Sequence, residues 1–300
     1  MKFIVDRDIF YNTLNVVSKA SAVRGIQPVL SNVLLETVDN SELKLCATDM
    51  DLTIQIKIPA EISEKGSITL PAKKLTEIIS KLPNEKVNFK LESNTAEIKC
   101  GSSKFDIRGI SSSEFPAVEI PESDDYVEVE IEPLLKAVKQ TGYAAATYDM
   151  NNVLSGVFCK IENNTLEMAA LDGNRLARVK KEINNDEDKN FSVVIPSRTL
   201  KEFVNILSGV EDEKVSMIAR NGQILFKLKD RYIISRLIDG QYPNYQQLIP
   251  KNNEKKAKIN RRGFINMDTI LIFQIIAGLV VFGMLFYAMI RMIKTQTKSL

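Results

Sequence analysis

Histidine and cysteine, two of the side chains that most often perform catalysis or bind metals, are absent and scarce, respectively, in this 300-residue sequence. It contains no histidine, which excludes Ser-His-Asp triads, Cys-His nucleophiles and histidine-ligated zinc. Cys46, Cys100 and Cys159 are far apart without a Cys-x-x-Cys pair, so we interpret them as reduced, buried thiols of a cytosolic protein. No GxxxxGK(S/T) or GxGxxG motif is present. Carboxylate catalysis remains open, but no pair of acids stands out, so the residues disfavour an enzyme and predict no cofactor.

Lysine and arginine offer a second kind of chemistry, the weak attraction of phosphates. Residues 251–300 carry a net charge of +7 against +2 for the whole chain, so the first 250 residues carry −5. The four helices predicted below hold nine basic and four acidic residues, which leaves −10 on the rest of those 250 residues. Solvated basic helix faces are common and would account for this pattern. Alternatively, basic helices on an otherwise acidic body would hold nucleic acid loosely, since a tight sequence-reading protein is usually basic overall.

The elements that carry these residues occur twice. An apolar helix face that starts from Pro71 recurs 125 positions later from Pro196, with the i, i+3, i+4, i+7 spacing of one buried face. Asp49 recurs as Asp172. A duplicated unit of this size indicates a whole domain, because solenoid repeats usually span about 20–50 residues.

Each copy is predicted to be α+β, with two helices laid on antiparallel sheet. The predicted helices are 7–19, 72–81, 132–142 and 197–208. The predicted strands are 3–5, 33–38, 43–48, 87–91, 96–100 and 104–108 in the first copy, and 127–131, 157–161, 166–171, 215–219, 223–228 and 232–236 in the second. The predicted domains are residues 1–121 and 125–250, followed by a charged linker over 251–268.

The C-terminal region has a different character. Residues 270–290 are a run in which Gln274 is the only strongly polar side chain. At about 1.5 Å per residue such a helix spans the roughly 30 Å of a bilayer core, so we predict a transmembrane helix over 269–293, with a buried globular helix as the alternative. More basic residues precede the run than follow it, which predicts that the preceding domains lie in the cytoplasm.

Several stretches, in this order along the chain, resemble those of one family: MKFIVDR (1–7), PVLSNVLLE (28–36), ATDMDL (47–52), LPAKKL (70–75), FPAV (115–118), LDGNRLA (171–177), IPSRTL (195–200) and LIDGQYPNYQQLIPKN (237–252). Over about residues 1–260 the chain resembles the bacterial DNA polymerase III β subunits, the sliding clamps. The resemblance implies a DNA-clamp fold, a ring with helices lining a hole around duplex DNA and sheets outside. It also implies a non-catalytic processivity factor of replication that tethers the polymerase.

The resemblance extends to individual residues. The predicted DNA-binding residues are Arg24, Lys73, Tyr148, Asn152 and Arg198; without the resemblance, Lys73 would be interpreted as a solvated lysine. The family also has a pocket for linear peptide motifs of the replicative polymerase, clamp loader and repair proteins. The positions that match this pocket are Leu154, Leu171, Gly173, Asn174, Arg175, Leu176, Pro243, Gln247 and Leu248. Many relatives have histidine and arginine in place of Asn174 and Gln247, and core packing alone is the alternative for Leu171, Leu176 and Leu248.

The chain departs from the family near Ile259, where a third domain is expected to start. The sequence turns instead into Arg261-Arg262-Gly263-Phe264 and then the apolar run, so we expect a frameshift or a join of two reading frames between Lys258 and Met267. Without that domain the family's ring-shaped homodimer is not expected to close. The alternative function is a membrane-anchored peptide-binding module that does not encircle DNA, tethered to the inner face of the cell membrane.

Overall fold

A computed structural model describes residues 1–22, 27–118, 120, 125–147, 152–183, 189–207 and 212–249. The chain divides into two compact units, Met1–Tyr245 and Gln246–Leu300. Of the second unit, the described residues are 246–249.

The first repeat alternates strands with two helices, and both helices begin where the sequence predicts. Its elements are β1 (Lys2–Asp6), α1 (Arg7–Val17), β2 (Asn32–Thr37), β3 (Glu42–Thr48), β4 (Leu52–Pro59), β5 (Glu61–Glu64), β6 (Ser67–Pro71), α2 (Ala72–Ser80), β7 (Lys86–Glu92), β8 (Thr95–Cys100) and β9 (Ser103–Arg108). Asp6 caps α1 by accepting hydrogen bonds from the backbone N–H groups of Asp8 and Ile9.

The second repeat follows the same order. Its elements are β10 (Val127–Glu130), α3 (Ile131–Thr141), β11 (Gly156–Glu162), β12 (Thr165–Leu171), β13 (Leu176–Glu182), β14 (Phe191–Pro196), α4 (Ser197–Leu207), β15 (Lys214–Arg220), β16 (Gln223–Lys227) and β17 (Arg231–Arg236). Every predicted helix and strand of the two repeats is present, and no bound is shifted by more than two residues. Strands β4, β5, β6, β13 and β14 were not predicted.

The described strands form three antiparallel sheets, and one of these sheets joins the two repeats. The eight-stranded sheet has the order β10-β15-β16-β17-β4-β3-β2-β6, so β17 of the second repeat pairs with β4 of the first. At this seam Ile233 lies opposite Ile54. A five-stranded sheet (β5-β1-β7-β8-β9) belongs to the first repeat alone, and a four-stranded sheet (β13-β12-β11-β14) to the second alone.

One buried core runs through both repeats and across the seam. It contains Phe3, Phe10 and Leu75 from the first repeat together with Phe203 and Ile233 from the second, all inaccessible to solvent. The helices cover this core in a connected layer: α2 contacts α1, and α4 contacts α3. The two pairs meet where Lys19, just after α1, forms an ion pair with Glu202 of α4.

The described part of the chain holds no helix with the length and apolarity needed to cross a bilayer. The predicted linker and transmembrane helix, residues 251–268 and 269–293, lie outside the described residues.

Candidate nucleic-acid and peptide interfaces

The basic residues of the four predicted helices fall into two groups. Five of them form ion pairs with acids: Arg7, Lys19, Lys81, Lys136 and Arg198. The other four are exposed and lie in no ion pair with any described residue: Lys73 and Lys74 on α2, Lys139 on α3 and Lys201 on α4. These four, which we call the helix lysines, keep hydrated and mobile ammonium groups that can contact phosphates without a fixed geometry.

Arg198 occupies the second position of α4 and bridges the two repeats. Its Nη1 lies 2.7 Å from Oδ2 of Asp49, in the turn between β3 and β4, and its Nη2 donates to the backbone carbonyl of Lys19 at 3.4 Å. Asp49 is nearly buried, because its side chain is only 11% exposed. The guanidinium is therefore engaged at the domain junction, and its predicted contact with DNA stays a prediction.

The other predicted DNA-binding residues differ in what they contact. Lys73 is exposed at the start of α2. Asn152 accepts a hydrogen bond from the backbone N–H of Leu154 at 2.9 Å and so caps the short 3-10 turn Val153–Ser155. Arg24 and Tyr148 lie outside the described residues.

Three leucines predicted to line a peptide pocket lie together in one apolar cluster. Leu154, Leu171 and Leu176 pack with Ala169 and with three aromatic side chains, Phe158, Tyr242 and Tyr245; we call this group the aromatic cluster. The rings of Phe158 and Tyr242 are stacked at 5.5 Å between centroids, and Tyr242 and Tyr245 meet edge to face at 6.3 Å. Such a surface, apolar with a few polar atoms, suits a short apolar peptide.

A buried acid, Glu167, forms hydrogen bonds with one member of the aromatic cluster and with two basic side chains. Glu167 on β12 is buried, and it accepts hydrogen bonds from the Tyr245 hydroxyl at 2.7 Å and from Arg178 Nε at 2.6 Å. Lys180 Nζ lies 3.2 Å from its other oxygen. Burial, the largest single influence, raises the pKa of Glu167, but the three hydrogen bonds together outweigh it and hold the pKa below its ordinary value.

The loop between β12 and β13 presents the polar part of the predicted pocket. Asp172 accepts hydrogen bonds from the backbone N–H groups of Asn174 and Arg175 and from Arg175 Nε. The Asn174 hydrogen bond is the largest cause that lowers the pKa of Asp172. Arg175 also lies over the ring of Tyr143, 5.8 Å from its centroid. Gly173 has φ of +92°, a left-handed conformation that glycine adopts without strain.

The other residues that were predicted for the pocket are Pro243, Gln247 and Leu248. Pro243 is exposed, and its carbonyl accepts a hydrogen bond from the backbone N–H of Tyr245 at 2.7 Å. Gln247 and Leu248 belong to the unit that begins at Gln246, and both are exposed.

Four residues in or bonded to this cluster were not predicted from the sequence: Phe158, Glu167, Tyr242 and Tyr245. The signal for the two tyrosines is the Tyr-Pro-Asn-Tyr stretch, where two aromatic residues flank a turn. For Glu167 the signal is a single acid within the otherwise apolar strand β12.

The three cysteines are buried and unpaired, as predicted. Burial raises the pKa of the Cys46 and Cys159 thiols to about 12, so these thiols are poor nucleophiles. Among the residues that the structure describes, no three His, Cys, Asp or Glu side chains are grouped so that they could hold a metal ion.

Sequence comparison assigns both repeats to one family. Residues 1–119 match the DNA polymerase III beta subunit, N-terminal domain, and residues 128–244 match the central domain of the same subunit. The chain is 36% identical over 267 residues to the beta sliding clamp of Synechococcus elongatus, an alignment that covers 87% of this chain and 71% of that protein. It is 33% identical to the beta sliding clamp of Halalkalibacterium halodurans, with 88% and 72% covered.

Solved structures agree with this assignment. The fold is similar to the DNA polymerase sliding clamp of Bacillus subtilis, with a TM-score of 0.79 and 30% identity over 84% of this chain and 68% of that one. It is also similar to the Pseudomonas aeruginosa sliding clamp bound to griselimycin, with a TM-score of 0.80 and 27% identity over 85% and 69% of the two chains. The chain belongs to the DNA polymerase III beta subunit family, the beta sliding clamps.

Proposed function

We propose that this chain is a sliding-clamp processivity factor of DNA replication, which surrounds duplex DNA and tethers the replicative polymerase without catalysing a reaction. The observation that carries the proposal is the seam: two clamp domains share one continuous eight-stranded sheet, and their helices form a connected layer on one core. Membership of the beta sliding clamp family supports it further.

The helix lysines support a sliding contact with DNA. Each can attract a phosphate while remaining hydrated, and none is held in an ion pair with a described residue. Contacts of this kind carry no sequence information and are individually weak, so that motion along the duplex costs little. The DNA-binding roles of Arg24, Lys73, Tyr148, Asn152 and Arg198 remain part of this proposal.

The aromatic cluster supports the tethering role. Its leucines and tyrosines, with Gly173, Asn174, Arg175, Pro243, Gln247 and Leu248, are proposed to receive linear motifs of the polymerase, the clamp loader and repair proteins. A tethered polymerase rebinds its template in an intramolecular step at high effective concentration, which raises processivity without any new contact to DNA.

Retention on closed and open DNA tests the proposed encirclement. The full chain, loaded by its cognate loader, is expected to remain on nicked circular DNA and to be lost after one restriction cut, because a topological link ends when the DNA gains free ends. Equal loss from both substrates, or equal retention on both, would contradict encirclement.

The helix lysines are tested with a charge-matched pair of variants. Replacing Lys73, Lys74, Lys139 and Lys201 by alanine is expected to flatten the salt dependence of DNA binding, with the slope of log K against log salt falling by up to about 3–4. The control removes four lysines from the face of the five-stranded sheet that points away from the core: Lys2, Lys86, Lys90 and Lys99. It changes the net charge equally and should leave the slope unaltered. Equal effects of the two variants would exclude the helix surface as the site of contact.

A cytoplasmic location is proposed for residues 1–250, while the span 269–293 is supported only by its apolar length. Fractionation of cells that express the full chain tests the span. Recovery in membranes after an alkaline carbonate wash would support it, whereas recovery in the supernatant would contradict it.

A further inference from the structure

A second apolar surface lies on the face of the eight-stranded sheet that points away from the main core. Ile218, Leu225 and Ile234 form one row across β15, β16 and β17, since Leu225 lies opposite each of the other two. They make a cluster of their own, separate from the main core. Leu34 of β2 and Cys46 of β3 lie on the same face of the sheet in the first repeat. We call these five residues the seam face.

Residues 115–126, which connect the two repeats, cover the seam face; we call this segment the connector. Phe115 is buried in the first-repeat cluster, and Val118 packs against the clusters of both repeats. Ile120 and Tyr126 pack against the second-repeat row. The connector therefore crosses the outer side of the seam from one repeat to the other.

Side chains rather than the backbone hold the connector in place. Pro116 has no N–H to donate, and no backbone hydrogen bond joins residues 116–118 or 120 to another residue that the structure describes. Val118 and Ile120 are only partly buried. A segment held in this way resembles a bound linear peptide more than a strand of the sheet. Another peptide can thus take its place without breaking hydrogen bonds of the sheet.

The charges at the second-repeat end of the seam face fit the composition of the connector. The connector carries four acids and no basic residue. Lys227 Nζ lies 5.2 Å from the centroid of the Tyr126 ring, and Lys189 Nζ donates to the backbone carbonyl of Tyr126 at 3.1 Å. A peptide in which apolar residues are followed by acids therefore suits this surface.

The aromatic cluster occupies the equivalent place in the second repeat. Its Phe158 and Ala169 lie opposite each other on β11 and β12, as Leu34 and Cys46 do on β2 and β3. The Phe-Pro pair that starts the connector recurs as Tyr242-Pro243. The seam face therefore duplicates the surface for which a peptide-binding role is proposed above.

We propose that the seam face is a second binding site for linear peptides, occupied within the chain by the connector, and that an apolar peptide with an acidic end from a partner protein can replace it. Displacement of the connector would uncover Ile218, Leu225 and Ile234, which are now only 6%, 2% and 6% exposed. A contiguous apolar row of this kind marks an interaction site. The inference goes beyond the proposed function, and only its comparison with the aromatic cluster rests on that function.

A free copy of the connector is the probe, a fluorescein-labelled peptide of residues 115–126, FPAVEIPESDDY. In wild type the tethered connector competes at high effective concentration, so the probe should bind weakly. The full chain with Val118→Ser and Ile120→Ser, which we call the connector variant, should bind the probe at least about tenfold more tightly in fluorescence anisotropy, because its own connector has lost two apolar side chains.

The matched control carries Ile9→Ser and Val38→Ser, since both side chains are 40% exposed and neither belongs to the clusters of the seam face. It should bind the probe as weakly as wild type. Equal probe affinity in the connector variant and the control, or no binding to the connector variant, would overturn the proposal.

Further changes in the connector variant locate the bound probe. Lys227→Glu should weaken binding about fivefold at low salt, whereas Lys229→Glu, in the exposed β16–β17 turn, should not. Equal effects of the two changes would contradict the seam site. Binding that survives Tyr242→Ala supports the seam site whether or not the aromatic cluster binds peptides. If Tyr242→Ala abolishes binding, the probe occupies the aromatic cluster, and this proposal fails while the proposed peptide role stands.

Photo-cross-linking to wild type makes the test independent of how well the variants fold. A probe with benzoyl-phenylalanine in place of Ile120 should label β15, β16 and β17 at high probe concentration. A scrambled peptide of the same composition should label these strands no more than the rest of the chain. Labelling by the probe that misses all three strands would overturn the proposal.

Discussion

Arg198 Nη1 lies 2.7 Å from Asp49 Oδ2, and this ion pair fastens the first turn of α4 to the β3–β4 turn of the other repeat. The pair is half-exposed on the arginine side and nearly buried on the aspartate side, so its coupling energy should exceed that of most surface pairs. The seam therefore combines strand pairing with a charge-assisted contact.

A double-mutant cycle on this pair is the first prediction. Arg198→Ala, Asp49→Asn and the double variant should give a coupling energy of about 1 kcal/mol in urea unfolding. Asparagine keeps the acceptor oxygen that caps the turn through the N–H of Leu52, so the cycle isolates the charge interaction. Coupling near zero would mean that the pair contributes nothing to the seam.

The second prediction concerns two equivalent turns with different residues. Met50 has φ of +76° and Gly173 has φ of +92°, at the same position after Asp49 and Asp172. A methionine is strained in this region whereas glycine is not. Met50→Gly should raise the free energy of unfolding by about 0.5–1 kcal/mol, and Gly173→Met should lower it by a similar amount. Thermal unfolding measures both, and two changes of the same sign would contradict this account.

The third prediction is a pH dependence that arises from Glu167. Its pKa in the folded state lies below the ordinary value of 4.5, so its stabilising effect is complete above that value and is lost as pH falls through the lowered pKa. Glu167→Gln should therefore cost stability at neutral pH and flatten the decline below pH 4.5. Urea midpoints across this range measure the difference. Parallel curves for the two proteins would show that Glu167 does not carry the effect.

The fourth prediction concerns the aromatic cluster. Truncating Leu176 or Tyr242 to alanine should weaken binding of apolar peptides from the cognate polymerase by about tenfold each, because central apolar side chains dominate such contacts. Fluorescence anisotropy with a labelled peptide measures this. Ile9→Ala is the control, since Ile9 is 40% exposed on α1 and lies outside the cluster. If Ile9→Ala weakens peptide binding equally, the aromatic cluster is not the peptide site.

Local patterns predicted the helices well and the seam not at all. The repeated apolar face, together with a proline directly before each helix, located α2 and α4 to within a residue. Strand β4 was missed although Thr53, Gln55 and Lys57 alternate with isoleucines; of its two partners, β3 directly precedes it and β17 is far away in the sequence. Strand β13 was missed because its four charged residues obscure the alternation. Pairing between distant strands depends on tertiary packing that local periodicity does not report.

The residues of the candidate site were likewise predicted only in part. The leucines of the aromatic cluster were found through the family resemblance, and the structure brings Leu154, Leu171 and Leu176 together. Glu167 was missed because a lone acid in an apolar strand predicts nothing until its partners, Tyr245 and Arg178, are known. The engagement of Arg198 by Asp49 likewise depends on a contact across repeats.

The shared core has a consequence for the covalent connection between the halves. Because Ile54 and Ile233 are buried against each other across the seam, either half made alone would expose a strip of aliphatic surface to water. A protease cut in the stretch between Val118 and Tyr126 would leave two polypeptides that stay bound. Separately expressed halves would reassemble in the same way, as a split protein held by backbone hydrogen bonds rather than by its peptide bond.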